Sequence, residues 1–258
     1  MTASLLKRLI RNYAPALLLS LLILTAWEII ARLGLTPSFI LPSPSAIWTA
    51  LATDRRLLLT VHLPATLLEV LAGFSLSVVC GSLLGTGMHL FRPLAKALYP
   101  LLVISQTLPL IALSPLFIMW FGYTLWSKVA IVFLTAFFPV VVGTYDGLGK
   151  NTQSYRELML TLGANRRQIL CKVSVPLALP SFFSGLKLSV VYSVIGATLG
   201  EWLGGSRGLG YFSRRMAGNL QSAEMFAAIV ILSALGIAMF LCIAGLETIL
   251  LKKRGRYS

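Results

Sequence analysis

Charge is what this sequence has least of. Charged residues make up 12% of its 258 positions, about half the share usual in a soluble domain. Acids are scarcer still, 8 against 22 Lys and Arg. So few charges cannot surface a fold that meets water on every side, so hydrocarbon must cover much of it. Cysteine is sparse: Cys80, Cys171 and Cys242 show no C-x-x-C spacing and no neighbouring histidine. That pattern excludes a disulfide framework or zinc site and leaves small buried apolar residues. HExxH, a Ser/His/Asp grouping and a paired-carboxylate helix are all missing, so no catalytic site, metal site or cofactor is expected. Nor is there a P-loop. The nearest approach, Gly149-Lys150, has Thr144 where the first glycine belongs and Asn151 in place of the final Ser or Thr, so this chain cannot hydrolyse ATP through that motif.

Apolar residues are abundant, 57% of the chain with a mean hydropathy of +0.85. About 20 apolar residues carry a helix across the hydrocarbon layer. Six stretches qualify: 14–35, 67–90, 98–121, 127–146, 181–203 and 225–250. The first follows Lys7, Arg8 and Arg11 and is too long for a signal-peptide core, which identifies an uncleaved span. The reading is an all-α integral membrane protein, residues 1–258 forming one transmembrane domain, with a cytoplasmic loop at 147–180. Six spans put both ends on one side. Fourteen Lys and Arg fall on that side and seven on the other, with Lys187 inside the fifth span. The bias gives an N-in/C-in topology in a bacterial inner (cytoplasmic) membrane. The net charge of +14 would otherwise suit nucleic acid, but it is dispersed over short loops between spans, so membrane lipid is the expected partner and nucleic acid is not.

Proline interrupts the third and fourth spans at Pro109, Pro115 and Pro139. The carbonyls it frees need protein or a cavity nearby, so both spans are expected at the centre of the bundle. In the outer loop 36–66, Pro42-Ser43-Pro44-Ser45 followed by Ala46–Leu51 reads as a turn, a serine N-cap and a short interfacial helix carrying Trp48. Gly81 and Gly85 form a GxxxG on the second span, and Ser189, Ser193, Gly196, Gly200 and Gly204 a longer small-residue ridge on the fifth. Such ridges let helix backbones approach closely, either within the chain or, for the second ridge, at a subunit interface or along a pore.

The segment Tyr155–Pro176 is the most polar on the inner side. Two short helical runs flank Gly163, a residue suited to a sharp turn, and a rigid helix pair outside the membrane suits docking into another protein. The segment resembles the E-A-A-x3-G-x9-I-x-L-P loop of bacterial ABC importer permeases. Glu157 takes the Glu position, Gly163 the Gly, and Val173, Val175 and Pro176 the end, while Leu158 and Met159 replace the alanines. Leu41–Ser45, Val70–Phe74, Ser114–Gly122, Gly200–Gly204 and Gly208–Tyr211 are similar to the branch holding nitrate, sulfonate, taurine and thiamine-pyrimidine-precursor permeases. The resemblance covers nearly the whole chain. It implies a six-helix type I ABC importer permease fold and a non-catalytic subunit forming the path for a small polar solute. That solute would be a thiamine pyrimidine precursor or a sulfonate, taurine or nitrate-type anion. It further implies two ATPase subunits, a second permease copy, and a periplasmic or lipid-anchored substrate-binding protein. Glu157, Leu158, Leu162, Gly163, Ala164, Arg166, Arg167 and Pro176 would then couple the path to the ATPase.

Ionisable groups within a bilayer are costly and each needs an account. Glu28 is read as pairing with Arg32 one turn on. Glu69 is read as reaching out to water, and Lys187 and Glu247 as reaching the inner interface. Glu201 is either a buried acid held by loop amides or an outer gate residue lining the path. Ser105, Gln106 and Thr107, the most polar cluster in any span, either line the path or bond neighbouring helices. His62 and His89 are read as solvated. A secondary carrier driven by an ion gradient is the alternative, but inverted repeats and midplane acids are not seen. A membrane enzyme lacks its constellation of groups.

Overall fold

The structure, a computed structural model, describes residues 3–149 and 153–252, with side chains from residue 14 onward apart from 153, 154, 156, 166 and 252. The side chains of Lys7, Arg8, Arg11, Arg156 and Arg166, all of Lys150, and the basic residues beyond 252 therefore lie outside the described residues. The described chain is built from helices: α1 (Ala3–Arg32), α2 (Pro44–Thr53), α3 (Arg55–Leu57), α4 (Leu63–Leu90), α5 (Arg92–Ser105), α6 (Leu110–Phe121), α7 (Leu125–Gly149), α8 (Gln153–Thr161), α9 (Arg166–Ile169), α10 (Val175–Gly204), α11 (Leu209–Gly218) and α12 (Ser222–Lys252).

Two of the spans begin earlier than the sequence signals. A π-helical turn, Leu58–His62, joins α3 to α4 in one rod from Arg55 to Leu90. A second, Leu170–Ser174, joins α9 to α10. Each precedes a proline, Pro64 or Pro176, that would otherwise stop the helix. The wider turn lets the Leu63 N–H reach the Leu58 carbonyl, and the Val175 N–H the Leu170 carbonyl, so the rod passes the missing donor and the ring. At 1.5 Å per residue a 36-residue rod is about 54 Å long, well over the ~30 Å of hydrocarbon. Its first turns stand beyond the layer, where a loop was expected.

Close approaches fix the direction of each span. An added Cβ on Gly81 would lie 2.8 Å from Val140 Cβ, and one on Gly85 2.7 Å from Thr144 Cβ. Both numbers climb together, so α4 and α7 run parallel. Gly143 meets Ser181 and Gly185, while Gly200 meets Lys128, so α10 runs antiparallel to α7. Lys187 bonds Glu247 and Gly236 lies against Val194, so α12 runs antiparallel to α10. The last turn of α1 meets the first turns of α12 through Trp27 and Phe226.

The third span is a correction. Instead of one rod over 98–121, α5 and α6 meet at a 101° bend, because Pro109 drives Leu108 out of helical backbone. Parallel α4 and α7 require the chain to recross between them, so this bent pair is a broken span rather than a re-entrant loop. The expected central position holds for α7, which packs between α4 and α10. Within the single chain α5 and α6 lie on the flank of that core, with Met119 and Trp120 exposed. The small-residue ridge of α10 is buried against α7, where the Ser189 hydroxyl donates to the Ala136 carbonyl at 2.8 Å. It is an internal helix contact, and neither a pore wall nor a free subunit face.

Beyond the end of α1, α2 is capped as expected by Ser43, whose Oγ accepts the Ala46 N–H at 3.2 Å, and Trp48 is exposed. Glu28 pairs with Arg32 at 2.5 Å and also accepts from the Ser45 N–H and hydroxyl, fastening α1 to α2.

Candidate functional site

A cavity of about 1550 Å³ opens beside the segment 155–176. Its mouth is formed by His89 and Arg92 at the α4–α5 corner and by Glu157 and Leu160 of α8. Its wall is the crossing of α7 and α10, made possible by Gly143 and Gly185, where a Cβ on Gly143 would stand 3.0 Å from the Gly185 Cα. Aromatic faces come from Phe138, Tyr145 and Tyr192; polar groups come from Gln106, Asp146, Ser181 and Ser184. A concave site with apolar walls and a few converging polar groups is the usual form of a small-molecule site.

Gln106 sits at the elbow of the broken span, which explains the polar cluster. There the Ser105 hydroxyl donates to the Leu102 carbonyl at 2.7 Å and the Thr107 hydroxyl to the Ile104 carbonyl at 2.8 Å. Both serve the frayed end of α5, and of the three only Gln106 lines the cavity. The elbow, residues 105–109, is exposed in the single chain. Irregular backbone at membrane depth survives only against protein or water, so this face needs a wet path or another chain beside it.

The segment Tyr155–Pro176 forms the turn its sequence calls for. Gly163 has φ +77°; its N–H reaches the Leu160 carbonyl, while the Ala164 N–H reaches the Met159 carbonyl at 2.9 Å. This pair of bonds is a Schellman stop. The next helix starts two residues on through a reciprocal box. The Gln168 N–H donates to Asn165 Oδ1 at 2.9 Å and the Asn165 N–H to Gln168 Oε1 at 2.8 Å, satisfying two orphan donors. Leu158 and Leu162 are exposed while Ile169 is buried, so the helix pair presents an apolar outer face. Glu157 faces the cavity mouth, Arg167 is exposed, and Pro176 is half-buried in the rod leading to α10. The Arg166 side chain lies outside the described residues.

Glu201, Glu69, Lys187, Glu247 and His62 are paired within the fold, and all but Glu201 sit differently from expectation. Glu201 is buried outside the cavity: Thr66 Oγ1 donates to it at 2.6 Å, and the Gly210 and Tyr211 N–H groups at 2.5 and 3.2 Å. This matches the loop-amide alternative. Glu69 does not reach water; it is 2% exposed and takes Lys128 Nζ at 2.7 Å. Lys187 and Glu247 bond each other at 2.8 Å instead of each reaching the interface. His62 is buried, its Nδ1 accepting the Gly208 N–H at 3.1 Å. Pairing wins in each case because a partner of complementary chemistry lies within reach on another element.

The sequence reading overlooked Asp146. An acid in the last turn of α7 opposes the negative end of the helix dipole, and that misplacement was the available signal. Tyr192, Ser181 and Ser184 gave none, since their shared face appears only once α10 is seen to cross α7 at Gly143 and Gly185.

Comparison with known families decides the matter. The sequence model of the binding-protein-dependent transport system inner membrane component matches residues 77–256. The chain belongs to that family. It is a multi-pass inner-membrane permease component of an ABC transport system. It is 48% identical to the formylaminopyrimidine transport permease protein ThiX of Halalkalibacterium halodurans, over 91% of this chain and 93% of that one. It is 34% identical to the riboflavin transport system permease protein RibX of Chloroflexus aurantiacus, over 90% and 87%. Against the putative aliphatic sulfonates transport permease protein SsuC of Bacillus subtilis the figures are 31%, 95% and 90%. The carrier and enzyme readings give way to the permease.

Proposed function

We propose that this permease forms the path by which an ATP-driven importer admits a small, planar, polar heterocycle of the formylaminopyrimidine kind. The observation that carries the reading is the composition of the cavity. Tyr145, Tyr192 and Phe138 offer ring faces for stacking, and Gln106, Asp146, Ser181 and Ser184 offer donors and acceptors for ring nitrogens and amides. Its charges are mixed: Asp146 and Glu157 stand with Arg92, where a taurine, sulfonate or nitrate path would favour a basic wall. The name of the relative at 48% identity agrees with the heterocycle.

In this reading the N- and C-termini are cytoplasmic, in line with the basic bias, and two of the seven outer basic residues, Arg32 and Lys128, are bonded to Glu28 and Glu69. Two copies face each other across the exposed elbow of the broken span. Two ATPase subunits grip the helix pair at Glu157, Leu158, Leu162, Gly163, Ala164, Arg166 and Arg167, with Pro176 passing the motion into α10. An external binding protein delivers the solute. Because Glu157 and Leu160 also rim the cavity, a shift of that pair alters the mouth directly.

The test is uptake by proteoliposomes holding the permease, its ATPase and its binding protein. Labelled formylaminopyrimidine should accumulate with ATP, unaffected by excess taurine or nitrate. Uptake of a sulfonate or nitrate with no uptake of the heterocycle would overturn the substrate assignment.

A further inference from the structure

The outer ends of α4, α7 and α10 meet in a buried cluster of ionisable groups that the transport path does not use. Glu201 has three donors aimed at its two oxygens: the Thr66 hydroxyl on Oε1, and the Gly210 and Tyr211 N–H groups on Oε2. Three donors on one carboxyl mark an ionised group. Thr66 Oγ1 in turn accepts the Leu209 N–H at 2.8 Å. Glu69 is placed differently. Lys128 satisfies Oε1, but Oε2 is fully buried with no donor. Thr66, one turn before Glu69 on α4, bonds Glu201, and Lys128 packs on Gly200 beside Glu201, so the two carboxyls share one buried site. Were both ionised, acceptor would face acceptor in a site 1–2% exposed, and two negative charges would share one ammonium.

We propose that Glu69 is a resident proton-holding residue: its Oε2 carries a hydrogen and donates it to Glu201. One proton resolves both problems at once. The orphaned oxygen becomes a donor, and the cluster of Glu201 carboxylate, Lys128 ammonium and neutral Glu69 has no net charge, the cheapest state for a buried group. The other titratable neighbours are accounted for: His62 uses Nδ1 to accept from Gly208, Tyr211 gives its backbone N–H, and Arg215 is exposed. The product is a brace. Gly208, at φ +115°, has Glu201 where its Cβ would be, so the carboxylate is clamped under the 204–210 loop and ties α11 to three spans. Glu69 is a positioning residue that acts through Glu201.

The experiment is infrared spectroscopy of the full-length permease in lipid, beside transport by isosteric variants. The wild type should show the carbonyl band of a protonated carboxyl, moving in D2O and absent from Glu69→Gln. Glu69→Gln should keep transport within about twofold, because its amide still donates to Glu201 and accepts from Lys128. Glu201→Gln should lose about tenfold or more, because its amide hydrogens must face either the Gly210 and Tyr211 N–H groups or the Thr66 hydroxyl already occupied by Leu209, and Lys128 loses its carboxylate counter-charge. Absence of the band in the wild type, persistence of the band in Glu69→Gln, or equal damage from the two substitutions would overturn the proposal. The infrared result stands even if Glu201→Gln fails to fold.

Discussion

Lys187 on α10 and Glu247 on α12 hold each other at 2.8 Å, 60 positions apart in sequence. Their side chains keep 23% and 13% exposure, so the pair is shielded but not sealed. Removing one partner leaves a half-buried charge alone among apolar helices, at a cost of about 1–3 kcal/mol. Lys187→Met and Glu247→Gln should each lower the thermal midpoint in detergent. The exchanged double variant, Lys187→Glu with Glu247→Lys, should recover most of the loss. Additive damage in the double variant would mean that the pair contributes nothing.

Helix contact makes a sharper demand at Gly81 and Gly85. Their missing Cβ atoms would stand 2.8 Å from Val140 Cβ and 2.7 Å from Thr144 Cβ, so Gly81→Leu should separate α4 from α7 and abolish accumulation of folded protein. Gly245 on α12 has nothing within 4 Å of its absent Cβ. There Ala should be neutral or stabilising by about 0.5–1 kcal/mol, the usual helix-interior gain over glycine. Comparing folded yield in the two variants checks the parallel packing on which the six-crossing topology rests.

These cases mark what the sequence could and could not tell. The existence of the spans was legible because apolar length is a local property. The Gly163 turn and the Ser43 cap were legible because each motif lies within a few residues. The starts of α4 and α10 were not, since the spans were placed by apolar length alone, from 67 and 181, and nothing local announces that a π turn will carry the helix past Pro64 and Pro176. The pairings of Lys128 with Glu69, Lys187 with Glu247 and Thr66 with Glu201 were invisible for another reason. Each depends on which helices run side by side, and the separations are 59, 60 and 135 residues. Gln106 was marked for the path by its polarity alone, but Tyr192 could not be, because its neighbours across the cavity come from α5 and α7.

Orientation has a direct readout. With Cys80, Cys171 and Cys242 replaced, a cysteine at Asn165 should react with a membrane-impermeant reagent only from the cytoplasm. One at Asn219, exposed after α11, should react only from outside. Labelling of both from one face would end the six-crossing topology.

The cavity should respond residue by residue. Tyr192→Ala removes a ring face and Gln106→Ala a hydrogen-bonding group, so each should weaken apparent substrate affinity in uptake by about fivefold to thirtyfold, equivalent to 1–2 kcal/mol. Basal ATP hydrolysis should be unchanged, since neither residue lies on the coupling segment. Wild-type uptake in both variants would place the path elsewhere.

The central claim is that the helix pair around Gly163 carries force between an ATPase and the path. Gly163 has φ +77° and open space around its Cβ position, so a larger residue there meets no neighbour and acts only through backbone strain. For a β-branched side chain that strain is about 1–2 kcal/mol, enough to redirect the docking helix. The deciding measurement is ATP hydrolysis by the reconstituted complex with saturated binding protein, comparing wild type with Gly163→Val. The variant should insert and accumulate normally, because no span is touched, while stimulation by the loaded binding protein is lost. Full stimulation in Gly163→Val would contradict it.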